Sequence, residues 1–133
     1  MAGFPLYKVE SENDLCKGGK FVRLELEKNG RTLVARLGGD LDLNSAPLFR
    51  EKIDQALADY EMINRLILNL AEVNFVDSSG LGVILGRFKK IRSRGGTMYL
   101  VDVPPSVSKV FELSGLFKII PEKDTEQSAM ETA

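Results

Sequence analysis

The chain has 133 residues, 44% hydrophobic and 28% charged, with 18 Lys plus Arg against 19 Asp plus Glu. That describes one near-neutral globular domain without the basic excess that nucleic-acid binding requires. Histidine is absent and Cys16 stands alone, which removes histidine-based catalysis, His-ligated metals and any internal disulfide, and fits a reducing compartment. The longest uncharged run covers nine residues, 78–86, well short of the roughly 20 that cross a bilayer. No apolar leader follows Met1, so the expectation is a cytoplasmic domain away from the membrane.

Residues 1–19 show no sustained period and end in Gly18-Gly19; they read as a loosely ordered extension with room for one short strand at 6–9. Val22, Leu24 and Leu26 then alternate with Arg23, Glu25 and Glu27, the period of a half-buried strand. Asn29-Gly30 marks a hairpin, because both residues tolerate positive φ, and the return strand covers 32–37. After Asp40-Leu41-Asp42-Leu43, Asn44 or Ser45 is placed to cap a helix with Pro47 in its first turn. Its apolar stripe is Leu48, Ile53, Ala56 and Leu57, ending near Tyr60. Residues 66–70 read as a buried strand, and 73–76 lead into Asp77-Ser78-Ser79-Gly80, where a second helix begins. Leu81, Ile84, Leu85, Phe88 and Ile91 form that helix's inner face, and Gly95-Gly96 ends it. A strand at 97–103, a helix at 105–113, a short strand at 118–120 and a charged tail with room for one terminal helix follow. The pattern predicts an α/β domain over 20–121, with a tail at 122–133. Its mixed sheet has four to five strands, with helices packed against it and the first two on one side.

Enzyme motifs are easily rejected. Gly80, Gly82 and Gly86 imitate a dinucleotide loop, but the third glycine comes one residue late. No Gly-Lys-Ser/Thr forms a P-loop, and Val76 stands where a nucleophile elbow at Ser78 needs glycine. Ser106 and Lys109 match S-x-x-K without its companion elements. Asp40 and Asp42 are two carboxylates without the further oxygen ligands a cation needs, and they suit a turn better. No cofactor is expected.

What remains is the strand-to-helix turn at Asp77-Ser78-Ser79-Gly80. Unpaired N–H groups at a helix start favour negative charge, so a serine there is suited to carry phosphate. The plainer reading is that Asp77 or Ser78 caps the helix. Three glycines within seven helical residues each cost about 1 kcal/mol relative to alanine, which argues for close approach of another backbone. Arg87, Lys89, Lys90, Arg92 and Arg94 read as a solvated basic face. Residues 40–61 hold six acids and two bases, a flank suited to a basic partner.

The run Val73 to Arg87, with Asp77-Ser78-Ser79-Gly80-Leu81-Gly82 at its centre, resembles the anti-sigma-factor antagonists, which are single STAS domains. Leu68-Asn69-Leu70, the stretch from Ser114 to Ile120, and Gly39-Asp40-Leu41-Asp42 strengthen the likeness, which is greatest to the sporulation-type branch. Asp40 replaces the glutamate of that family's Gly-Glu-Leu-Asp motif. The resemblance implies a non-enzymatic switch with Ser78 as the phosphoacceptor. Its implied partner surface is Asp42 together with Asp77, Ser78, Ser79, Gly80, Leu81 and Gly82. It also implies two partners: an anti-sigma factor that is itself a serine kinase, and a PP2C-type phosphatase that removes the phosphate. The alternatives are a STAS scaffold or partner subunit in a stress-signalling or transport assembly, and a weak nucleotide-binding module.

Overall fold

The computed structural model describes residues 3–11 and 21–132 of the chain. Cys16 and Gly18-Gly19 lie outside the described residues. Six strands form one sheet in sequence order: β1 (Phe4–Ser11), β2 (Val22–Asn29), β3 (Thr32–Leu41), β4 (Arg65–Val76), β5 (Thr97–Val101) and β6 (Glu122–Lys123). The first three pair antiparallel and the last four, from β3 onward, pair parallel. Six strands replace the four to five expected. The sequence shows a short strand at 6–9, whereas β1 covers eight residues, seven of them paired with β2, with Leu6, Tyr7 and Val9 against the core.

The β2–β3 hairpin turns at Gly30-Arg31, one residue later than Asn29-Gly30 suggests. Asn29 pairs with Thr32, and Gly30 takes the positive φ of 62° at the first loop position. Between the parallel strands lie α1 (Ala46–Asp59), α2 (Ser78–Ser93) and α3 (Pro105–Ser114). All three bury their apolar residues in one cluster with Leu24, Leu33, Ala35, Leu66 and Leu68, so α1 and α2 share a face as right-handed crossovers require. The terminal helix α4 (Glu126–Glu131) covers the opposite face, where Ala129 packs on Val34, Ile67, Tyr99 and Val101. Coverage on both faces explains why β3 is buried along most of its length.

Three boundaries differ from the sequence pattern. β4 is one strand of twelve residues, because bulges against β3 near Gly38 and Asp40 break the alternation that would reveal it. β5 stops at Val101, where Asp102 adopts a left-handed φ of 53°. The expected strand at 118–120 is absent; a 3₁₀ turn over Leu116–Lys118 stands there. Leu116 and Ile120 are both buried, and the Ile120 N–H reaches the Leu116 carbonyl at 2.9 Å, a helical rather than extended spacing.

Candidate functional site

β3 and β4 end side by side at Leu41 and Val76, so the loops that follow them meet at one end of the sheet. In the second loop, Asp77 takes extended backbone and caps α2, its carboxylate accepting from the Gly80 N–H at 3.0 Å. Its other oxygen accepts from the Leu43 N–H at 3.3 Å, tying the two loops together. Ser78 therefore does not cap. It occupies the first helical position, exposed, and its hydroxyl makes no hydrogen bond to a described residue. Ser79 is half-buried and Leu81 packs partly against the core.

Close backbone approach holds at one glycine of the three. A Cβ on Gly80 would collide with the Leu41 carbonyl oxygen, whereas Gly82 and Gly86 have nothing within 4 Å of that position. Gly82 is exposed on the helix surface. Two glycines in mid-helix facing open space form no phosphate cradle, which leaves the dinucleotide-loop likeness without a structural counterpart.

Asp42, which the resemblance places on the partner surface, is turned inward. It is only 7% exposed, and its Oδ1 accepts from the Asn44 N–H at 3.0 Å and the Ser45 N–H at 3.1 Å. Ser45, buried, donates its hydroxyl to the Asp40 carbonyl at 2.6 Å and accepts from the Asp42 N–H. These bonds lock the loop into α1, with Pro47 in the helix's first turn. The lock leaves Leu43 outermost, 71% exposed. Leu43, Ala46, Pro47 and Arg50 then face Ser79, Gly82 and Val83 across a groove of about 410 Å³ between α1 and α2.

The basic residues of α2 divide into two groups. Lys89 and Arg92 are solvated as expected. Arg87 is not, being 5% exposed and 3.0 Å from the Asp54 carboxylate of α1, which Lys90 also reaches at 3.2 Å. Burial lowers the pKa of Arg87, with Asp54 opposing the shift and Arg50 adding to it. Arg94 donates to the carbonyls of Leu57, Tyr60 and Ile63, bonding groups at the end of α1. The spacing does mark Arg87 as inward, since it lies four residues from both buried Val83 and buried Ile91, and Asp54 on the facing helix supplies its pair. Nor do the acids of 40–61 gather at the site, since Asp42 is turned inward and Asp54 is taken up by α2. Among the described residues no three Asp, Glu or Cys side chains group as metal ligands.

The fold has known counterparts. The family model for the STAS domain matches residues 23–129. An anti-sigma F factor antagonist of Paenibacillus polymyxa is 40% identical over 109 residues, 82% of this chain and 92% of the relative. The chain belongs to the STAS family, among the anti-sigma factor antagonists. The structure of the antagonist SpoIIAA in its unphosphorylated form superposes with a TM-score of 0.71 at 34% identity, covering 81% of this chain and 93% of that one. The phosphorylated form of SpoIIAA, a Bacillus cell fate determinant, gives 0.65 at 33% identity, with 81% and 96% covered. The STAS match begins within β2, so β1 precedes it.

Proposed function

We propose that this STAS domain is an anti-sigma factor antagonist switched by phosphate on Ser78. The unphosphorylated chain binds an anti-sigma factor through the Leu43 and Ser78 loops and so releases a sigma factor. The observation that carries the reading is the division of labour at the turn: Asp77 supplies the cap, leaving the Ser78 hydroxyl exposed and uncommitted. The similarity to an antagonist solved in both phosphorylation states supports it.

The partner is its own off-switch in this reading, a serine kinase that moves the γ-phosphoryl of ATP to Ser78 Oγ, with a PP2C-type phosphatase restoring the hydroxyl. The chain itself is an interaction module rather than a catalyst, and it acts in the cytoplasm. Phosphate adds about −1.5 to −2 charge to a surface that must be desolvated against the partner, next to the Asp77 carboxylate. A few kcal/mol of lost affinity is a hundredfold or more. The α2 N-terminus meanwhile favours the phosphate in the free domain, so the modified chain stays folded. Asp42 acts from inside the loop, by holding Leu43 outward. Incubation with the cognate kinase and ATP, followed by peptide mass spectrometry, tests the switch. The expected result is one phosphate on Ser78 and none on Ser78→Ala; phosphate on Ser79 overturns the assignment.

A further inference from the structure

The groove between α1 and α2 holds a positive charge that the fold does not neutralise. Arg50 lines it, exposed, and pairs with no acid among the described residues. The carboxylate one turn further along α1, Asp54, is already shared by Arg87 and Lys90. Arg87 is itself buried, and its Nη1 finds no acceptor among the described residues. Asp54 is thus spent on Arg87 and Lys90, and Arg50 adds its positive charge nearby without a carboxylate of its own among the described residues. Above Arg50 the groove is apolar: Ala46 and Val83 are buried in it, and Leu43 and Pro47 stand exposed along it. Gly82 contributes no side chain, which leaves room there.

We propose that Arg50 pairs with a carboxylate of the anti-sigma factor, presented beside an apolar side chain that seats over Gly82 between Leu43 and Pro47. The inference rests on the antagonist reading and adds to it the chemistry of the partner's contact, one acid next to one apolar residue. The groove is continuous with Ser79, so the contact adjoins the switch itself. The charge selects for an acid and the open glycine selects for bulk, and each is testable separately.

The test is a titration of the purified cognate anti-sigma factor against wild type, Arg50→Glu, Arg50→Lys and Gly82→Leu, at two ionic strengths, with thermal melts of each variant. Arg50→Glu should weaken binding by about tenfold or more and flatten its salt dependence, while Arg50→Lys retains most of the affinity. Gly82→Leu should also weaken binding by about tenfold, with a melting temperature equal to or above wild type, because its Cβ enters open space in a helix. An acid-to-lysine change on the partner that rescues Arg50→Glu identifies the carboxylate. Wild-type affinity in both Arg50→Glu and Gly82→Leu overturns the groove contact and leaves the antagonist reading standing. A wild-type chain that binds no anti-sigma factor overturns both.

Discussion

Asp42, Gly80 and Gly82 show how strongly single side chains depend on their surroundings at this end of the sheet. The Asp42 carboxylate holds two backbone N–H groups of the loop, so Asp42→Ala leaves both without that acceptor. A loss of about 1–2 kcal/mol follows, visible as a melting temperature lower by several degrees. Asp42→Asn keeps an acceptor oxygen and should melt and bind close to wild type; a large binding loss in Asp42→Asn at an unchanged melt would show instead that the partner reads the charge. Gly80→Ala drives a Cβ into the Leu41 carbonyl and should destabilise the domain by about 3 kcal/mol or more, whereas Gly82→Ala should stabilise it by up to about 1 kcal/mol. Thermal melts of the two variants should therefore move in opposite directions. In sequence, the two glycines look alike. Their difference lies in the neighbouring loop, since only Gly80 sits where the end of β3 crosses the start of α2, and spacing along one chain carries no record of that crossing. The inward turn of Asp42 was hidden for the same reason: a short acidic loop reads as exposed until its own backbone donors are seen around the carboxylate.

At the scale of elements, the alternation in β2, the start of α2 and its glycine stop are legible, because each is encoded by residues adjacent in the chain. β4 reads as two pieces because its bulges interrupt the period, and Arg87 reads as solvated because its charge masks its place on the buried stripe while its pairing acid is on another helix. α4 was legible only as a possibility of the tail, since its docking rests on contacts with the sheet. Arg36 donates to both Glu126 oxygens, at 2.8 and 2.7 Å, and Asn69 adds a bond at 2.7 Å. The Glu126 hydrogen bonds raise the Arg36 pKa well above the ordinary guanidinium value. For Glu126, burial pulls the pKa upward, but the bonds from Arg36 and Asn69 outweigh it and hold the group below its ordinary 4.5. A depressed folded value means the stabilisation is complete above 4.5 and is lost as pH falls from there through the folded value. Protection of the α4 amides, referred to their intrinsic exchange rates, should accordingly fall in that acid window while β3 and β4 stay protected. Glu126→Gln should raise α4 exchange at neutral pH and remove the acid step; an acid step that persists in Glu126→Gln would assign it to another carboxyl group.

At the scale of the molecule, a sheet covered on both faces holds two loops at fixed separation, and the switch needs no refolding to work. The pairing of β3 with β4 to their last residues sets Leu41 beside Val76, the Asp77 bond to Leu43 joins the loops, and the α1–α2 clamps at Asp54 and Arg94 keep the groove between them open. A phosphate on Ser78 therefore acts on a surface already formed. Affinity for the cognate anti-sigma factor, measured by surface plasmon resonance with the unphosphorylated chain and with the same chain carrying phosphate on Ser78, tests this most directly. The expected result is a dissociation constant at least about a hundredfold higher for the phosphorylated chain, with superimposable circular dichroism melts. Equal affinities, or a loss of affinity accompanied by an unfolded circular dichroism spectrum, would contradict it.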